Sequence, residues 1–467
     1  MSESVTEALK LVEPAFVPPL DPDFRPAVLA NRSFAEAVAQ SGAGVPLVLG
    51  LERLNGELSR YETTVYADGH PDAEANLTYA ERIVKFLLWQ RGGWKVHVGG
   101  PAAIGDHLRR TYAPDGERAF DFHFMGEDVY EREFTVVSCA PEDVPAANEG
   151  GKALGRHLDG YRIGFDLGAS DRKVSAVVDG QAIYSEEVIW EPKKHADPDY
   201  HYREVRAAIE SAASKMPRVD AIGGSSAGIY VDNRAMIASL FRAIPKEDFG
   251  GVRELFLRLR DELGVPLEII NDGDVTALAG AMSLEDNAVL GIAMGSSLAA
   301  GYVSPDGKIM GWLNELAFTP VDYAPGAAVD EWSRDRGVGA PYFSQQCVFR
   351  LAPAAGIEIP EEVTDAEKLK VVQAELEAGH DGAHKIWETI GTYLGYAVAH
   401  YADFYEIRHM LILGRVTSGS GGDIILDRAR EVLAAEFPEL GHINIQLPDE
   451  KSRRVGQSIA AASLPAL

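Results

Sequence analysis

Apolar and polar positions alternate with two different rhythms along the chain. In the first stretch, residues 47–51 form a short apolar run entered through Pro46, and Asn55-Gly56 supplies a tight-turn pair. Residues 58–66 then alternate as a returning strand does. Residues 77–90 carry apolar side chains at helical spacing, and Gly92-Gly93 ends the pattern. Residues 94–98 and 134–138 read as further strands. Gly99-Gly100-Pro101 reads as a turn before a helical stretch. Residues 1 to about 25, rich in proline and acids, predict an extended arm. Residues 1–150 are therefore expected to be an α+β extension, and they contain no catalytic constellation. Residues 140–159, with Pro, Glu, Asn and Gly-Gly, read as a linker.

The rhythm changes after the linker. Residues 162–167, 174–178 and 183–190 predict three strands, the last two joined by Asp179-Gly180. A helix is expected over 202–216, a strand and small-residue turn over 221–229, a helix over 249–263 and a strand over 266–270. Residues 288–303 form a second hairpin, followed by a Pro305-Asp306-Gly307 turn and a strand over 308–312. Helices then dominate, notably over 383–405, before a strand over 409–413 that ends at Gly414. Two glycine-bearing hairpins, each opening an α/β half, suggest a duplicated architecture.

Composition narrows the function classes. The 467 residues suit two or three domains, and 46% hydrophobic content supplies cores for them. A net charge of -27, from 71 acids against 44 bases, repels nucleic acid and anionic membrane. An anionic ligand would therefore need local Lys, Arg, backbone N–H groups or a metal ion. Two cysteines, Cys139 and Cys347, make neither a disulfide framework nor a four-thiolate zinc site, in keeping with a cytoplasmic protein. The N-terminus lacks a basic start before an apolar run, and no stretch of about twenty apolar residues occurs, so neither a signal peptide nor a membrane span is expected.

Three loops point at a phosphate. The segment from Gly164 to Lys173 ends a strand on Asp166 and turns through Gly168 and Ser170, so backbone N–H groups can approach an anion while Lys173 adds charge. Asp166 is suited to hold Mg²⁺ through water. The second hairpin contains Gly295, Ser296 and Ser297. The third loop places Gly414 at a strand end, where a flat ring can lie against the backbone. The first two also fit an ordinary tight hairpin, and the third a flexible loop. Between them, Ile269-Ile270-Asn271-Asp272-Gly273-Asp274 reads as strand, sharp turn, helix. Asp272 is placed to accept a proton from an attacking hydroxyl, or else Asp272 or Asp274 caps the helix.

The ordered set Asp166-x-Gly168-x-Ser170-x-x-Lys173, Asn271-Asp272, glycine-bearing hairpin, Asn314-Glu315 and Gly414 resembles the ROK family of sugar kinases and repressors, as does the tail from Arg454 to Leu467. The resemblance implies an α/β, two-lobed, actin-like ATPase (ribonuclease H-like) fold over 160–467. It further implies phosphate transfer from ATP, or in some members polyphosphate, to a sugar or cyclitol, with Mg²⁺. By this resemblance Asp272 is the general base, Asn271, Glu315 and Ser239 meet the substrate, and Asp166, Gly168, Ser170, Lys173, Gly295 and Ser296 face the donor phosphates. Gly414 lies near the adenine, and a homodimer is expected. The chain departs from the family at several points. Phe318 stands where a zinc-loop histidine is common and no cysteine cluster follows, so zinc is not expected. Ser297, Ala299 and Ala300 replace favoured glycines, and Asp171 replaces a common lysine. Trp190, Trp312 and Trp332 could stack on a sugar ring, with packing the favoured reading for each, and the Tyr393, Tyr396, His400, Tyr401 stripe reads as a core or dimer face. The extension shows no recognition-helix pattern, which disfavours DNA binding. A non-catalytic sugar sensor is the alternative reading.

Overall fold

Strand order, rather than strand number, reveals the architecture. The computed structural model describes residues 9–150, 154–448 and 456–467. In the N-terminal region, α1 (Ala27–Ser41) precedes β1 (Gly44–Glu52) and β2 (Leu58–Tyr66). Then follow α2 (Ala75–Arg91), β3 (Lys95–Gly99), α3 (Ala102–Thr111) and β4 (Thr135–Cys139). Their sheet has the order β2-β1-β3-β4. The Asn55-Gly56 turn, with φ of 56° and 75°, sits where the sequence put it.

The first lobe contains β5 (Tyr161–Leu167), β6 (Asp171–Val178), β7 (Gln181–Ile189), α4 (Pro198–Ala213) and β8 (Ala221–Ser226). It continues through the small hairpin β9 (Ile229–Val231) and β10 (Arg234–Ile237), α5 (Leu255–Leu263) and β11 (Leu267–Asn271). The five-stranded order is β11-β8-β5-β6-β7, with β5, β8 and β11 parallel. Helix α6 (Asp272–Leu284) leads into the second lobe, which holds β12 (Val289–Met294), β13 (Leu298–Val303), α7 (Gln345–Leu351), α8 (Asp365–Glu377) and α9 (Asp381–Ala402). It is completed by β14 (His409–Leu413), α10 (Gly421–Glu436) and β15 (Asn444–Gln446), in the order β13-β12-β14-β15. Two hairpin-led α/β halves are thus present. The final helix, α11 (Gly456–Ala462), returns to the first lobe: Cβ atoms added to Gly164 and Gly223 would lie 2.0 and 1.6 Å from its Ser458 and Ala461 carbonyl oxygens. Arg454 and Val455 of the tail lie outside the described residues.

Some local expectations give way to tertiary packing. Helix α1 has no counterpart in the sequence reading. The stretch 308–312 forms only an isolated bridge position at Ile309 instead of a strand, because Trp312 turns in to stack on Tyr302 at 5.8 Å. The helix over 249–263 is interrupted at Glu254. Among the described residues no helix is long and apolar enough to cross a membrane.

The arm does more than trail. Phe24 is buried and packs on Tyr393 at 4.7 Å, and the Phe16 backbone N–H donates to the Tyr396 hydroxyl at 3.1 Å. His400 meets Phe86 of α2 edge-on at 4.9 Å. The aromatic stripe of α9 is therefore covered within the chain, and the N-terminal region shares one hydrophobic core with the second lobe. It also reaches the first lobe: Glu131 pairs with Arg234 at 2.9 Å and with Arg253, and Asn55 donates to Asp232 at 2.9 Å.

Candidate active-site cleft

The C-terminal ends of parallel strands gather the acids. Across the sheet, Asp166 is level with Ser225, and Ser225 with Ile270, so Asp166 and Asp272 emerge at the same edge. Backbone amides and loops open there, the usual ligand position in α/β sheets. The Asp166 carboxylate accepts from the Ser225 hydroxyl at 2.8 Å. Burial raises its pKa above the ordinary aspartate value, against the Ser225 hydrogen bond and Lys173.

Asp272 opens α6, but the helix cap is Asn271. Its side-chain oxygen accepts from Gly273 N–H at 2.7 Å while its amide donates to the Gly228 carbonyl at 2.8 Å. Among the described residues this leaves the Asp272 carboxylate with only local backbone N–H bonds, and it lines the cleft. Burial, then the charge of Asp166, pushes its pKa up to about 6. Burial, then the charges of Asp272 and Asp274, pushes Glu315 up to about 7. Asp274 serves a different purpose: it accepts from Tyr302 N–H at 3.1 Å and from the Asn314 amide at 3.0 Å, tying α6 to the second lobe.

A pair of glycines brings the lobes together at this point. A Cβ on Gly301 would lie 2.1 Å from the Gly273 carbonyl carbon, so the start of α6 and strand β13 touch backbone to backbone. Gly414, at φ 102°, presses on the other side of the hairpin, where a Cβ would stand 2.3 Å from the Met294 carbonyl oxygen. The second hairpin and the third loop thus form one surface.

The resulting cavity, 510 Å³ in volume, is lined by Asn271, Asp272, Ser239, Gly295, Ser296 and Glu315 among others. Asp166, Gly168, Ser170, Lys173 and Gly414 do not line it. Gly168 and Ser170 occupy the β5–β6 turn and Lys173 lies in β6; Trp190, just past β7, pins the turn by donating its indole N–H to the Gly168 carbonyl at 2.8 Å. Asp171, the first residue of β6, accepts from Ser170 at 3.0 Å and pairs with Lys173 at 3.5 Å. Arg242 follows Ser239, and burial together with the Arg242 charge holds the Lys193 pKa below its ordinary value, so two cations stand near one another on this lobe.

The cavity also holds residues absent from the sequence reading. Trp332, which the sequence offered for ring stacking or, in preference, packing, is 66% exposed, and it lines the cavity with Asp330, Glu331 and Phe124. Trp190 and Trp312 do pack. The sequence held a signal for the difference: Asp330-Glu331-Trp332-Ser333-Arg334-Asp335-Arg336 contains no apolar residue besides the tryptophan. Phe318 sits in an aromatic cluster with Trp89 at 4.2 Å and Phe120 at 5.9 Å.

No family model matches the sequence, and no curated protein matches it. Solved structures do. A ROK hexokinase from Thermus thermophilus superposes with a TM-score of 0.50 at 16% identity, over 64% of this chain and 97% of that one. The two-lobed part, about two thirds of the chain, shares its fold with this ROK protein. A second such structure, a ROK family transcriptional regulator described as a homologue of the Escherichia coli MLC protein, gives 0.51 at 16% identity over 66% of this chain and 79% of that one. The actin-like α/β architecture expected from the sequence is borne out. The ROK fold hosts both a kinase and a regulator in these comparisons, so the choice between them falls to the site.

Proposed function

We propose that this chain is an ATP- and Mg²⁺-dependent kinase that phosphorylates a hydroxyl of a sugar, cyclitol or related polyol. One observation carries the reading: Asp272 shares a cavity with the Gly295-Ser296 turn and Glu315, and lies within electrostatic reach of Asp166. Asp272 would take the proton of the acceptor hydroxyl as its oxygen bonds to the γ-phosphorus and the bond to the ADP oxygen breaks. Glu315 and Asn271 would orient neighbouring hydroxyls, Asn271 with the hydrogen-bonding capacity left after capping α6.

The residues fit Mg²⁺. One Asp166 oxygen is held by Ser225, and this ion needs only one or two carboxylates besides water. When bound it would neutralise charge on the donor phosphates, with Asp166 holding it through water. Gly295 fits a phosphate, since a Cβ there would have only the Ser297 carbonyl oxygen within 4 Å, at 3.6 Å. Gly414 would flank the adenine. Cleft closure would exclude water from the transfer. The acidic surface supports a soluble enzyme without affinity for nucleic acid. The experiment is an ADP-release assay over sugars and cyclitols with ATP, repeated with polyphosphate as donor. Absence of turnover with every pairing defeats the proposal.

A second reading, a sugar-binding regulator without turnover, is favoured by one feature. Asp171 already occupies Ser170 and Lys173, the side chains that donor phosphates need. If the kinase reading holds, Asp171→Asn frees both and lowers the KM for ATP about two- to five-fold, the size of an exposed ion pair. An unchanged or higher KM argues against a donor role for this turn.

A further inference from the structure

The cavity has an uneven wall. Asp272, Glu315, Asp330 and Glu331 line it, and no described lysine, arginine or histidine does. The remaining side is aromatic, with Phe124, Phe318 and Trp332. Trp332 lies nearly parallel to Phe318, planes 13° apart and centroids 6.3 Å apart, and it is 66% exposed. Its loop is held firmly. Asp330 accepts from Trp332 N–H at 3.1 Å, Ser333 N–H at 2.6 Å and the Ser333 hydroxyl at 2.8 Å. Five residues on, buried Asp335 is gripped by Arg118 at 2.9 Å and Arg82 at 3.3 Å.

The N-terminal region therefore builds this wall twice over, by contributing Phe124 and by anchoring the Trp332 loop. Asp330 is used as the loop's cap. Glu315 and Glu331 differ: among the described residues, neither carboxylate accepts a hydrogen bond or pairs with a cation. Glu315 is recessed in the cleft, so leaving its charge unpaired is costly there. An exposed indole face beside an unpaired carboxylate is the arrangement that recognises an ammonium group.

We propose that the acceptor is a polyol bearing a basic amine, an amino sugar or aminocyclitol with a free ammonium, seated against Trp332 and Glu331. Its apolar ring face covers the indole while its charge meets the carboxylates. Sugar acids and sugar phosphates would face four carboxylates without a countercharge. This rests on the acceptor-site reading above, but its test needs no turnover.

Titration calorimetry at pH 6.5, without nucleotide, compares glucosamine with glucose and 2-deoxystreptamine with myo-inositol. At least one amine is expected to bind about ten-fold or more tightly than its neutral partner. Glu331→Gln is expected to reduce that ratio about five-fold, and Trp332→Ala to reduce it as well. Failure of both amines to bind in the millimolar range, equal or tighter binding of the neutral member in both pairs, or a ratio unmoved by either variant overturns the proposal. Amine-selective binding with no ADP release supports it while defeating the kinase reading.

Discussion

Asp272→Asn is expected to lower kcat by roughly 10²–10⁴-fold, the range for losing a positioned general base, while leaving the unfolding midpoint near that of the parent protein. The side chain's hydrogen bonds are local to the start of α6, and the cap is Asn271, so the helix keeps its start when the charge is removed. The pH dependence follows from the same carboxylate. Its pKa is raised to about 6 by burial and by Asp166, and only the ionised form accepts a proton. The kcat/KM is therefore expected to rise with pH through a limb near 6 and to fall below it. A pH-rate profile and a denaturation curve check both halves. Turnover within two-fold of the parent removes Asp272 from the chemistry.

The second large effect concerns stability. Asp335→Asn is expected to cost about 3–5 kcal/mol, the range for removing one partner of a buried ion pair. Three cations, Arg82, Lys85 and Arg118, face three anions, Glu81, Asp121 and Asp335, in a region almost closed to water. Lys85 is fully buried, 2.7 Å from Asp121 and 3.6 Å from Asp335. The asparagine leaves one cation in excess. Burial raises the Asp335 pKa, but the Arg82 and Lys85 charges and the hydrogen bonds outweigh it and hold it below the ordinary value. Its stabilising contribution is thus complete above the unfolded-state pKa of about 4 and is lost as pH falls below it. Urea unfolding followed by tryptophan fluorescence measures the cost. An unchanged midpoint at pH 7 would show the network to be dispensable. Because Asp335 anchors the Trp332 loop, ligand binding should weaken alongside stability.

The second effect centres on the junction between the N-terminal region and the two-lobed part of the chain. That region covers the aromatic stripe of α9, completes the cleft with Phe124 and pairs with the first lobe through Glu131.

Local pattern and turn chemistry determined a large share of this molecule from sequence alone. The hairpins around Asn55-Gly56 and Asp179-Gly180, the strand ending at Gly414, and the strand–turn–helix at Asp272 were legible because turns and periodicity depend on residues adjacent in the chain. The two hairpin-led halves suggested a duplication, and the two-lobed fold followed from the resemblance that the ordered motifs carry. What the tertiary structure decided was which distant residues meet. The sequence left Trp332 between ring stacking and packing, with packing favoured because aromatic residues are commonly buried; its loop is fixed by Arg82 and Arg118, some 250 and 214 positions away in the chain, and so faces the cleft. The arm's Phe24 and the α9 stripe met for the same reason. Burial and charge balance are properties of assembled surfaces, and no local window of sequence contains them.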